Sequence, residues 1–96
     1  GNVELTPEAL VTITKAYLAA ATALGGHTMM GIVDGHLQIA WWPLQYRDTR
    51  RCGQGFEIET LLKIDHPIEH VRHKAEWMRR RYEEKREASS DQKIPC

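Results

Sequence analysis

The chain has 96 residues, enough for one domain with a single core of the helix-on-small-sheet kind. Its 13 Lys and Arg balance 13 Asp and Glu, and zero net charge weighs against a protein whose main task is to coat nucleic acid or an anionic membrane. No apolar run is long enough to span a bilayer and the start carries no signal-peptide pattern, so a cytoplasmic location without membrane contact is the expectation.

Thr6-Pro7-Glu8 reads as a helix start: a hydroxyl cap, proline in the first helical position, and an acid near the positive end of the dipole. Leu5 and Leu10 are placed to form a hydrophobic staple. The predicted buried stripe is Leu10, Ile13, Tyr17, Ala21 and Leu24, and Gly25-Gly26 supplies the stop. Ala19 to Ala21 and Ala23 keep the second half slim, so a neighbouring element can approach closely.

The period then changes to two. His27–Val33, Asp34-Gly35 and His36–Trp42 form a two-residue hairpin signature, because Asp-Gly tolerates the positive φ of a type I′ turn. Pairing Val33 with His36 puts Met30, Ile32, Leu37, Ile39 and Trp41 on the core face. His27, Met29, Gly31, Gln38 and Trp42 fall on the other, with Trp42 beside His27. Pro43 ends the strand, and a polar loop to about Gln54 carries Arg47, Arg50, Arg51 and Cys52. From Phe56 to Ile64 apolar and polar residues alternate, which predicts a third strand with Phe56, Ile58, Thr60, Leu62 and Ile64 inward. A helix is the rival reading, since Glu and Leu favour it.

Asp65 or His66 caps the last helix, with Pro67 in its first turn, and the helix is expected to reach about Glu87. The tail from Ala88 to Cys96 has nothing to pack and is expected to be mobile. The fold class is therefore α+β: a two-layer sandwich in the order αβββα, a helix, a three-stranded antiparallel meander and a helix. Both helices lie on the Met30/Ile39/Ile58 face of the sheet. Residues 1–88 form one domain and 89–96 a tail. Trp42, Met29 and Leu61 on the opposite sheet face are more apolar than solvent contact requires, so a homodimer by sheet packing or edge pairing is expected. Two cysteines, Cys52 and Cys96, make no disulfide framework; free thiols are expected, with a bridge involving Cys96 as the alternative.

Candidate functional residues concentrate on the last helix. His66, His70, His73 and Trp77 occupy one narrow sector at about 100° per residue, away from the apolar set Ile68, Val71, Ala75, Met78 and Tyr82. His66 and His70 have the spacing that lets two imidazoles chelate one ion. All three histidines cannot share it, because His66 and His73 lie about 10 Å apart along the axis while a zinc–nitrogen bond is about 2 Å. Neither Cys-x2-Cys nor His-Glu-x-x-His is present, and no cofactor motif appears. Trp77 is a favoured interface anchor and arginine is likewise enriched at hot spots, which makes His70, His73, Trp77, Arg80 and Arg81 the expected partner-binding surface.

Arg47, Arg50, Arg51 and Arg79 are the residues of an alternative, nucleic-acid-binding reading, although Glu76, Glu83, Glu84 and Glu87 interleave with the basic run. Helix, three strands, helix is also the order of the double-stranded-RNA-binding domain, and the likeness stops at topology. That family has its tight hairpin between strands two and three and lysines opening its last helix. Here the tight hairpin joins strands one and two, and the helix opens Asp65-His66-Pro67-Ile68-Glu69. No nucleophile elbow, phosphate loop or paired-carboxylate motif points to an enzyme. The reading is a small non-enzymatic binding protein that acts by protein–protein contact, an adaptor or inhibitor of a larger assembly of the kind mobile elements carry. Metal binding through a His pair is the second alternative.

Overall fold

The computed structural model describes residues 3–25, 27–43 and 51–89. Their elements are α1 (Pro7–Leu24), β1 (His27–Val33), β2 (His36–Trp42), β3 (Cys52–Glu57), α2 (Ile58–Lys63) and α3 (Pro67–Ser89). The strands form one antiparallel sheet in the order β1-β2-β3. This is the αβββα sandwich with one short helix added between β3 and α3.

α1 begins as its sequence dictates. The Thr6 hydroxyl accepts from Ala9 N at 3.1 Å and Pro7 takes the first helical position. Its buried stripe is Ala9, Ile13, Ala16, Ala20 and Leu24, rotated from the predicted one, while Leu10 is 44% exposed. Both partners of the predicted staple, Leu5 and Leu10, are exposed. The rotation follows from α3, which packs along α1 and takes the small Ala16 and Ala20 into the close contact. Gly25 ends the helix at φ 69 and ψ 174, with its N–H on Ala21 O, and its carbonyl accepts from Trp41 Nε1 at 2.9 Å. That backbone region is open to glycine alone. Gly25→Ala is expected to cost about 1–3 kcal/mol in urea unfolding, because the backbone must either strain or give up the indole hydrogen bond.

The hairpin has the predicted register, from Val33↔His36 through His27↔Trp42. Asp34 and Gly35 take φ 49 and 74, as a type I′ turn requires. Leu37, Ile39 and Trp41 enter the core as expected, and the His27 and Trp42 rings lie 5.2 Å apart. Met30 and Ile32, expected in the core, are 36% and 38% exposed instead. They belong to an edge strand that α1 meets at its Thr28 end, through Tyr17, while Met30 and Ile32 stay exposed beyond that contact.

The predicted third strand is corrected. β3 occupies Cys52–Glu57, and the alternating segment that follows is the helix α2. Ile58 and Leu61 are both buried, three positions apart, whereas Thr60 is exposed. That spacing fits a helix turn and breaks alternation at Thr60 and Leu61. Leu61 therefore lies in the core and not on the outer sheet face. Ile58 N–H donates to Gly35 O at 2.9 Å, which ties the start of α2 to the hairpin turn.

Cys52 is disulfide-bonded and 3% exposed, so the expectation of a free thiol does not hold at this position. The other cysteine of the chain, Cys96, lies outside the described residues, as do 90–95 of the predicted tail. Ala88 and Ser89 still belong to α3. Among the described residues, no helix is long and apolar enough to cross a membrane.

Candidate functional site

α3 buries Val71, Ala75 and Tyr82 and turns His70, His73 and Trp77 outward, as the helical spacing requires, and His66, whose carbonyl accepts from His70 N just before the helix, is exposed as well. Trp77 is 49% exposed, and the Arg81 guanidinium lies 5.3 Å from its ring centroid. This cation–π contact, one helical turn long, presents the indole and a positive charge as one unit. His70 does not stand free: its ring meets Phe56 edge-on at 6.0 Å, so part of the stripe leans on the margin of the core. His73, Arg80 and Arg81 are exposed, and neither arginine has an ion-pair partner among the described residues. Among those residues no three His, Cys, Asp or Glu side chains come together to hold an ion, and His66 and His70 have no third donor beside them.

The neighbouring flank of α3 is saturated with its own counter-charges. Arg72 bridges Glu69 at 2.6 Å and Glu76 one turn on, and Arg79 pairs with Glu83 while donating to Ala23 O at 3.1 Å. The Arg72 hydrogen bond holds the Glu69 carboxyl below its ordinary value, and Glu69 in turn raises the Arg72 guanidinium. A lowered carboxyl contributes stability above its unfolded pKa and loses it as pH falls through the folded one. Exposure keeps this contribution small. Arg79, counted with the nucleic-acid residues by its sequence, is thus spent on α1 and Glu83. Arg47 and Arg50 lie outside the described residues.

Arg51 behaves differently. It joins Cys52, Met78, Arg81, Tyr82 and Lys85 around a cleft of about 150 Å³ between the start of β3 and the second half of α3. The sequence contained all three cations, but only the packing of β3 against α3 brings Arg51 to Arg81 and Lys85. Tyr82 is 7% exposed, and its hydroxyl is buried without a hydrogen-bond partner.

A second surface was not visible as one in the sequence. Nine large hydrophobic residues are exposed among those described, and seven of them, Leu10, Val11, Leu18, Met29, Met30, Ile32 and Val33, belong to α1 and β1. At 100° per residue Leu10 falls within about 20° of Tyr17, whose hydroxyl donates to Thr28 O of β1 at 3.0 Å, while Val11 and Leu18 lie about 100–120° beyond it, on the face of α1 opposite the buried stripe. Apolar surface therefore runs along both faces of the edge strand β1, at Met29, Met30, Ile32 and Val33. On the outer sheet face it meets a shallow groove of about 450 Å³ in which Met29 and Trp42 flank the small Ala40 and Gly53. The signal that could have found it is the composition of β1: seven residues without a formal charge and without proline, in the first strand of a meander and so at a sheet edge.

Compared with protein-family models, with curated proteins and with solved structures, the chain matches none of them.

Proposed function

We propose that this is a binding protein that acts through protein–protein contact, and that its first partner is a second copy of itself joined along β1. One observation carries the reading: of the nine large hydrophobics exposed among the described residues, four, Met29, Met30, Ile32 and Val33, lie in the seven-residue edge strand β1. Soluble domains seldom leave a long uncharged edge strand open, because its unpaired N–H and C=O groups invite another strand. In β1 the type I′ turn makes Val33 and His36 the closing hydrogen-bonded pair, so Thr28, Met30 and Ile32 direct their backbone groups to the free edge. Tyr17 occupies Thr28 O. The groups left over, on Met30 and Ile32, are self-complementary about Gly31: Met30 of one copy faces Ile32 of the next, and Met29 faces Val33. The exposed Trp77 face of α3 lies on the far side of the helix layer and remains available to a different protein. The disulfide at Cys52 favours an oxidising compartment over the cytoplasm.

Sedimentation equilibrium tests the reading. The wild-type chain is expected at twice its 11.0 kDa mass, and Met30→Lys/Ile32→Lys at the monomer mass with an unchanged far-UV spectrum. Trp77→Ala is expected to remain dimeric. A wild-type monomer at millimolar concentration would sink the self-pairing.

A further inference from the structure

We infer that the cleft between β3 and the second half of α3 binds a tetrahedral oxyanion of the phosphate class. The inference is independent of self-pairing at β1, which lies at the opposite edge of the sheet.

Three cations, Arg51, Arg81 and Lys85, line this cleft, and no acidic residue is among its described walls. None of the three is ion-paired with a described residue, whereas Arg72 pairs with Glu69 and Glu76, and Arg79 with Glu83. Like charges gathered round one small space repel, and a bound anion relieves that repulsion. The second observation is Tyr82, which also lines the cleft. Its ring is held edge-on against Trp41 at 5.3 Å, and its buried hydroxyl has no partner. A buried hydroxyl left without a partner is rare and costly, and a bound water, ion or ligand oxygen ordinarily satisfies it.

The ligand chemistry follows from the donors. Two guanidinium forks, an ammonium and a phenol offer more hydrogens than the two oxygens of a carboxylate can accept, whereas a phosphate presents four oxygens and up to two charges. At about 150 Å³ the cleft admits one such group. A nucleic-acid backbone needs phosphate contacts repeated along a surface, and here the next turns of α3 are neutralised by their own glutamates.

Inorganic phosphate titrated into the full chain in low-salt zwitterionic buffer, followed by amide chemical shifts, provides the test. Saturable shifts are expected at residues 51–53 and 78–85, with sulfate competing and acetate binding at least about tenfold more weakly. Tyr82→Phe removes only the unpartnered hydroxyl and keeps the ring on Trp41. Its urea midpoint should be equal or higher, while phosphate affinity falls by roughly tenfold or more. Arg51→Gln, at an exposed position, should weaken phosphate to a similar degree without changing the midpoint. Glycerol phosphate binding more tightly than phosphate would identify an organic phosphomonoester as the source, and the reverse order the free ion; both support the assignment. It is overturned if phosphate gives no saturable shift, if neither substitution changes its affinity, or if acetate binds equally well. Displacement of phosphate by a duplex oligonucleotide at far lower concentration would overturn the single-group site in favour of a polymer.

Discussion

Ile58→Ala should lower the free energy of unfolding by about 2–5 kcal/mol, a large share of the roughly 5–15 kcal/mol that holds a domain together. Ile58 has no exposed surface, and it is the first residue of α2, whose N–H reaches the carbonyl of Gly35. Truncation leaves a cavity where the hairpin turn, the end of β3 and the helix layer meet, and none of the three can move inward alone. Leu61→Ala should cost a similar amount, since Leu61 is 2% exposed on the same side of the same turn. Thr60→Ala should cost well under 1 kcal/mol, because exposed side chains contribute little. Urea denaturation of the three variants tests the helical assignment as well as the magnitude. A strand would reverse the order, with Thr60 sensitive and Leu61 tolerant.

Reduction is the second large effect. Adding a reductant is expected to lower stability by about 2–4 kcal/mol, because the disulfide at Cys52 restricts the unfolded chain. The sulfur sits inside the core rather than on a surface loop: Cys52 pairs with Trp41 across the sheet and is 3% exposed. Denaturant midpoints measured with and without reductant give the shift directly. An unchanged midpoint would mean that the bond contributes nothing and that the core alone holds β3. A domain of this size buries a limited apolar area, so a covalent tie replaces part of the missing packing energy.

The elements with local signals were legible in the sequence. The Thr6-Pro7 start, the Gly25 stop and the Asp34-Gly35 turn each depend on one or two residues whose backbone preferences decide the outcome, and all three form as expected. The segment after Phe56 misled because Ile58, Leu62 and Ile64 satisfy alternation while Ile58 and Leu61 satisfy a helix turn. Nine residues carry both periods, and only the packing of Leu61 under the helix layer separates them. Met30 and Ile32 alternate correctly, but alternation assigns a face and cannot say whether that face is covered at its margin. The outward histidine and tryptophan stripe was legible because a 23-residue helix repeats its pattern often enough to fix a direction. The cleft was not, since Arg51 lies thirty residues before Arg81 and only the sheet brings them together. Likewise, no sequence pattern could say that the basic run would divide into Arg79, consumed by Glu83 and α1, and Arg81, left with Trp77.

That division gives the protein an electrical polarity that its formal charge conceals. Among the described residues, Arg72 and Arg79 are cancelled along one flank of α3, and unpaired positive charge gathers around Arg81, Lys85 and Arg51. At a distance the chain is neutral and exerts almost no pull. Within about 10 Å, the screening length near physiological salt, it behaves as an oriented dipole that turns one side toward a negative object. Encounters with anions are then steered by rotation rather than by long-range attraction. Their rates would depend on salt through the orientation of the final approach, a dependence that a count of charges would never suggest.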